Sequence, residues 1–123
     1  MKIEDVYKTI DVIITAQKKA RQNNDYNTIL LNAEALLEYL PGLINYSVTQ
    51  EKEYRKEEAR LANENDQNGK KNSGAYCETQ AKATDFYTEW QRSKQFIELV
   101  YELVNMSKKL AGSVDKEYNA SIK

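Results

Sequence analysis

The sequence predicts an all-α protein, a helical bundle built on a long antiparallel hairpin of its third and fourth helices. The 123 residues include 4 glycines and 1 proline, so few positions can form the tight turns that an all-β protein needs. Apolar residues recur at helical spacing over most of the chain. The segment from Ala75 to Leu110 is predicted as one helix, because residues seven positions apart are apolar at Ala83, Trp90, Ile97 and Val104, and again at Ala111 directly after it.

The first two predicted helices each carry a single apolar face. The first runs from about Ile3 to Arg21, and its face consists of Ile3, Val6, Tyr7, Ile10, Ile13, Ile14 and Gln17. A polar break follows at 22–25, where Asn24 or Asp25 can cap the next helix. The face of the second helix consists of Tyr26, Ile29, Leu30, Ala33, Leu36, Leu37 and Leu40. Pro41 is expected to end this helix, so the chain either turns there or kinks and continues.

The third predicted helix, about Leu43 to Asn63, has a thinner apolar stripe. Its segment 50–60 is nearly all charged, which is more typical of a solvated surface with weak i,i+4 pairs than of a docking surface. The segment 63–74 has no apolar residue and contains several turn formers. It is therefore predicted as an exposed tip between the third and fourth helices.

The fourth predicted helix changes character over Phe96–Met106, where apolar residues occupy most of its circumference. A helix that is apolar all round is covered on several sides, and full coverage in so small a chain favours a second subunit. The sequence therefore predicts a homo-oligomer that associates through this helix. Gly112 is the expected C-cap. We predict a single helical-bundle domain over residues 1–112 and a polar tail over 113–123.

Residue types that the chain lacks disfavour an enzyme. There is no histidine, so the histidine-dependent hydrolases and histidine-ligated zinc or di-iron sites are excluded. Cys77 is the only cysteine, and we interpret it as a small apolar filler. The pairs Glu98/Glu102 and Asp85/Glu89 lie one turn apart and resemble the wet edge of a helix more than a catalytic or metal site. We expect no catalytic activity, no cofactor and no metal.

Charge and hydropathy bear on the compartment and on nucleic-acid binding. The N-terminus has no apolar signal core, and no run approaches the length of a membrane span, so we expect a cytoplasmic protein that does not interact with a membrane. The formal net charge is −1 and the pI is about 5.6, which disfavours general duplex binding. A local positive surface stays possible if folding gathers the basic residues Lys18, Lys19, Arg21, Lys70, Lys71, Lys108 and Lys109.

The candidate binding residues are two tyrosines and two lysines that alternate at seven-residue spacing: Tyr87, Lys94, Tyr101 and Lys108. Tyrosine is favoured at protein interfaces, because it buries area at low entropic cost and keeps a polar group. Tyrosine with lysine also suits a nucleotide, whose base can stack and whose phosphate can be neutralised. The simpler interpretation is that this flank packs against a neighbouring helix while the lysines extend to water.

One segment of the chain shows a resemblance to known proteins. The residues that carry it are Ala81, Ala83, Thr84, Tyr87, Trp90, Lys94, Phe96 and Ile97. This run resembles segments of small helical accessory proteins encoded by bacteriophages and prophages. The resemblance names no specific family and carries over no functional residue. It implies action by stoichiometric binding, as in host-defence antagonists that block a host protein or sequester a nucleotide signal.

Three hypotheses follow for the function. The first is a non-enzymatic phage-type binding protein that self-associates through its long C-terminal helix and occupies a host protein or a small anionic nucleotide. The second is a nucleic-acid accessory protein in phage replication or recombination. The third is a purely structural helical assembly subunit, which differs from the first only in having no outside partner.

Overall fold

The protein is all-α, as predicted from its sequence. A computed structural model describes the backbone of residues 2–122 and the side chains of 2–110 and 112. Its helices are α1 (Ile3–Gln22), α2 (Tyr26–Ala62), α3 (Gly74–Lys82) and α4 (Asp85–Ile122). Strands are absent from these residues, where β structure is limited to one isolated bridge between Asn65 and Lys71. None of the helices in this part of the chain is both long and apolar enough to cross a membrane.

Helix α1 confirms the first predicted helix to within one residue. Val6, Tyr7, Ile10, Ile14 and Gln17 of its apolar face are all buried. Its end at Asn23 leads into Asn24, whose φ of 53° lies in the left-handed region that asparagine tolerates better than most residues. The next residue caps α2.

Asp25 provides that cap through both its side chain and its backbone. The Thr28 N–H donates to Asp25 Oδ1 at 3.3 Å, and the Ile29 N–H donates to the Asp25 carbonyl at 3.0 Å. These bonds satisfy groups that the first turn of a helix otherwise leaves without partners. Of the two residues that the sequence nominated as the cap, the structure selects Asp25.

The second and third predicted helices are one continuous helix, so the predicted end at Pro41 is wrong and the alternative, that the chain continues through it, is confirmed. Proline in a helix interior removes a hydrogen bond and costs about 3 kcal/mol. However, Leu36, Leu40, Leu43 and Ser47 are all buried. Burying a leucine contributes about 1.5–3 kcal/mol, so burial on both sides of Pro41 offsets the lost bond and α2 continues.

The fourth predicted helix is instead two helices, α3 and α4, separated at Ala83–Thr84. The Thr84 N–H and hydroxyl both donate to the Ala81 carbonyl, at 3.2 and 2.7 Å. A threonine side chain that bonds the local backbone competes with helix continuation. Asp85 then begins α4 with a carboxylate that the positive end of the helix dipole favours. The predicted hairpin of two long helices is therefore not confirmed in that form.

The predicted C-cap at Gly112 is also wrong, since α4 continues to Ile122. A glycine inside a helix costs only about 1 kcal/mol relative to alanine, which is too little to end a helix alone. The predicted polar tail falls on 113–123, where only the backbone to residue 122 belongs to the described part of the chain. The domain boundary at residue 112 stays a prediction.

The chain divides into two compact units. Unit 1 consists of Met1–Pro41 with Phe96–Lys123, and unit 2 consists of Gly42–Gln95. The core of unit 1 includes Ile10, Leu36 and Val100, each almost fully buried. Tyr7 stacks on Phe96 there, with 4.3 Å between the ring centroids. The core of unit 2 is described with the candidate site below.

Only one side of α4 is buried in the core of unit 1. Val100, Leu103 and Val104 are buried, whereas Leu99 and Met106 are each 36 % exposed. The all-round apolar pattern of Phe96–Met106 thus corresponds to one face in the core of unit 1 and one face open to solvent. The predicted self-association through this helix stays a prediction.

A buried polar network links α1, α2 and α4 within unit 1. Gln17 is 1 % exposed, and its Nε2 donates to the Ile29 carbonyl at 3.0 Å and to Ser107 Oγ at 2.8 Å. Its Oε1 accepts from Asn32 Nδ2 at 3.0 Å. Ser107 in turn donates to the Leu103 carbonyl at 2.8 Å. Because buried polar groups cost free energy unless they are bonded, this network favours a single register of the three helices.

Replacing Gln17 with alanine is expected to lower the free energy of unfolding by about 2–3 kcal/mol, since it leaves Asn32 without its acceptor and opens a cavity. Gln17→Leu, which keeps the volume, should cost less. Urea denaturation followed by circular dichroism measures both variants. A loss below about 0.5 kcal/mol, the level of an ordinary surface substitution, for Gln17→Ala would contradict a role of the network in stability.

Candidate functional site: an aromatic–cation surface

The four residues of the predicted Tyr/Lys stripe are divided between the two compact units, and their action as one site stays a prediction. Tyr87 is half-buried and Lys94 is exposed, and both belong to unit 2. Tyr101 is 47 % exposed and Lys108 is exposed, and both belong to unit 1. Within unit 2, Tyr87 has close aromatic and cationic neighbours in Tyr54, Trp90 and Lys82.

Those neighbours form a cluster of three rings in unit 2. Tyr54 of α2 lies 5.2 Å from Tyr87 and 5.5 Å from Trp90, measured between ring centroids. Tyr87 and Trp90 of α4 meet edge to face at 6.0 Å. Such pairs contribute about 0.5–1.5 kcal/mol beyond their buried area. The three rings therefore hold one another in fixed positions.

The rings rest on the apolar core of unit 2. Tyr54 is 2 % exposed and packs in one cluster with Leu61, Cys77 and Ala81. Tyr87 and Trp90 are only partly buried against this cluster, so each presents part of its surface to solvent. The Cys77 thiol is buried, which agrees with its interpretation as a small filler.

Two cations lie over the rings. The Arg55 guanidinium carbon is 5.1 Å from the Tyr54 centroid and 5.5 Å from the Trp90 centroid. Lys82 Nζ is 5.9 Å from the Tyr87 centroid. These distances are within the range of cation–π attraction. We call the set Tyr54, Arg55, Lys82, Tyr87 and Trp90 the aromatic–cation surface.

Each cation of the surface lies beside a carboxylate. Lys82 Nζ donates to Glu78 Oε1 at 2.7 Å, and this bond raises the pKa of Lys82 and lowers the pKa of Glu78. Arg55 lies 4.0 Å from Glu58. Burial, and then the charge of Glu58, raises the pKa of the Tyr54 hydroxyl. At neutral pH the surface therefore combines neutral rings with two positive charges.

Both cations remain accessible despite these pairs. The Arg55 side chain is 55 % exposed and the Lys82 side chain is 44 % exposed. The exposed parts of Tyr87 and Trp90 can contact apolar groups of a partner while the two cations pair with its anionic groups. The arrangement is suited to recognition of a partner.

Sequence reasoning identified only part of this surface. Tyr87 was a candidate, and Tyr54 and Trp90 lay on predicted apolar stripes. Arg55 was assigned to a solvated charged segment, and Lys82 carried no signal. The spacing of Tyr87 and Trp90, one turn apart on one helix, could have marked the rings, but contact with Tyr54 and Arg55 depends on the tertiary fold.

The carboxylate pair Asp85/Glu89 has a structural neighbour in unit 2. The Tyr46 hydroxyl donates to Glu89 Oε2 at 2.7 Å, a short bond to a charged acceptor. Within the described residues, no three Asp, Glu or Cys side chains are grouped in a way that could hold a metal ion. Glu89 is thus engaged in packing α2 against α4 in unit 2.

Comparisons with known proteins add no family to this description. No protein-family model matches the chain, no curated protein matches it in sequence, and no solved structure matches its fold. Only the geometry of the site therefore bears on the function of the chain.

Proposed function

We propose that this chain is a non-enzymatic, phage-type accessory protein that binds a host protein stoichiometrically in the cytoplasm. The observation that carries the proposal is the aromatic–cation surface, where two accessible cations lie over three mutually packed rings. The resemblance of the segment 81–97 to small phage proteins supports the same class of action.

The composition of the surface favours a protein partner. Tyrosine, tryptophan and arginine are the residue types that most often dominate binding energy at protein interfaces. Arg55 is already stacked on Tyr54 and Trp90 in the free protein, so less side-chain entropy is lost on binding. The exposed parts of the Arg55 and Lys82 side chains can also pair with acidic groups of the partner.

Self-association through α4 is the second part of the proposal. Leu99 and Met106 lie seven residues apart on one side of this helix and are partly exposed, and such apolar surface gains free energy when another subunit covers it. Native mass spectrometry of the protein tests this part. A monomer at all concentrations would remove self-association and leave the aromatic–cation surface as the only proposed interface.

Trp90→Ala and Arg55→Ala are each expected to weaken binding of the host partner by at least about tenfold, which is typical of central interface residues. The partner is first isolated on immobilised protein from host lysate, and its affinity for each variant is then measured by surface plasmon resonance. Lys52→Ala is the matched control, because Lys52 is an exposed cation on the same helix. Equal affinities for all variants would refute this surface as the interface.

A further inference from the structure

The segment between α2 and α3 is an ordered loop shaped by its own hydrogen bonds. Asp66 Oδ1 accepts from the N–H groups of Asn68 and Lys70, at 2.8 and 3.0 Å. Gly69 has a φ of +76°, a conformation that glycine adopts without steric cost. Asn72 Nδ2 donates to the Leu61 carbonyl at 2.9 Å, which ties the loop to the end of α2.

This loop and the first turn of α3 enclose a concavity of about 600 Å³. We call it the loop cavity. Its walls include Asn65, Asn68, Lys70, Lys71, Ser73 and Tyr76. Small-molecule sites in proteins occupy about 300–1,000 Å³. The loop cavity therefore has the size for a ligand as large as a mononucleotide.

Two lysines and two carboxylates line the loop cavity, so its formal charge is balanced. Glu64 forms an ion pair with Arg60, and Asp66 Oδ1 accepts two backbone N–H groups. The ammonium groups of Lys70 and Lys71 form no ion pair with any described residue. An anionic group would thus find two cations with unused hydrogen-bond donors.

Tyr76 supplies a planar apolar group at the same place. It lies in the first turn of α3 and is 47 % exposed. Stacking of a base on an aromatic side chain contributes about 1–3 kcal/mol and accepts any base. The carboxamides of Asn65 and Asn68 can both donate to and accept from the edge of a base.

We propose that the loop cavity binds a mononucleotide, with its phosphate on Lys70 and Lys71 and its base against Tyr76. The two carboxylates at the cavity disfavour the successive phosphates of a nucleic-acid strand, whereas one phosphate can be placed on the lysines. None of the lining residues belongs to the aromatic–cation surface. The proposal therefore stands or fails independently of the proposed host-protein interface.

Isothermal titration calorimetry of the full chain with the four ribonucleoside 5′-monophosphates, and with the matching nucleosides, tests the proposal. We expect saturable binding of at least one monophosphate, weaker binding at higher salt, and at least about tenfold weaker binding of its nucleoside. The double variant Lys70→Ala/Lys71→Ala should bind the monophosphate more weakly by a similar factor. Tyr76→Leu, which keeps the bulk of the side chain but removes the ring, should lower the affinity for the monophosphate and for the nucleoside by the same factor.

Lys18→Ala/Lys19→Ala is the matched control, because it removes an adjacent pair of exposed lysines from α1. Its affinity should equal that of the wild type, and thermal melting followed by circular dichroism should show all variants folded. The proposal is overturned if no monophosphate binds saturably, or if the Lys70/Lys71 variant binds as the control does. A single-stranded oligonucleotide that binds much more tightly through the same lysines would also overturn it, in favour of a nucleic-acid site.

Discussion

Val100→Asp is expected to abolish cooperative folding of unit 1 or to lower its melting temperature by about 15 °C. Val100 is 0 % exposed, and an aspartate there has no cationic partner to offset its desolvation. An unpaired buried charge of this kind costs about 4 kcal/mol or more. At this chain length, 1 kcal/mol corresponds to roughly 4 °C in melting temperature.

Thermal melting followed by circular dichroism measures the effect. Leu99→Asp is the matched control, because the adjacent Leu99 is 36 % exposed and a charge there stays hydrated. It should melt within a few degrees of the wild type. Similar melting temperatures for the two variants would mean that the core of unit 1 does not use this face of α4.

Tyr54→Ala is expected to reduce the free energy of unfolding by about 3–5 kcal/mol and to remove partner binding. Tyr54 is 2 % exposed and contacts both Tyr87 and Trp90. Its loss leaves a cavity beneath the aromatic–cation surface and removes one of the rings under Arg55. Stability and binding should therefore fall together.

Urea denaturation of Tyr54→Ala and Tyr54→Phe separates the ring from its hydroxyl. The Tyr54 hydroxyl lies 3.4 Å from Glu58 Oε2, a long contact, so Tyr54→Phe should retain nearly full stability at pH 7. Because the folded protein raises the pKa of Tyr54, the folded state holds this proton more strongly. The free energy of unfolding of the wild type therefore falls as the pH rises above about 10, and that of the Tyr54→Phe variant should fall less. Equal losses at neutral pH would show that the hydroxyl matters more than the ring.

Local patterns in the sequence predicted much of the helical structure. The face of α1 follows the 3.6-residue period, and its residues are buried as expected. The polar segment that begins at Asn63 forms the loop after α2, because asparagine, glycine and serine favour turns and no apolar residue anchors a helix there. These features depend on interactions between near neighbours in the chain, which the sequence displays directly.

Helix boundaries at single residues were harder to predict. Pro41 usually ends a helix, but Leu40 and Leu43 are buried beside it and α2 continues. Conversely, no breaker residue marks the end of α3, where Thr84 bonds the Ala81 carbonyl instead. In both places the free energy of the local backbone preference, a few kcal/mol, is similar in size to the free energy of side-chain burial or hydrogen bonding that opposes it.

The sequence by itself determined that the chain is helical, which faces of its helices are apolar, and that histidine-based chemistry is excluded. Only the tertiary structure decided which exposed residues act together. Arg55 looked like one member of a solvated charged segment until folding placed it over Trp90, and Lys82 became relevant only beside Tyr87. Helical periodicity is a short-range property that composition and spacing reveal. Contacts between residues far apart in the chain depend on how whole helices pack, and no local pattern encodes them.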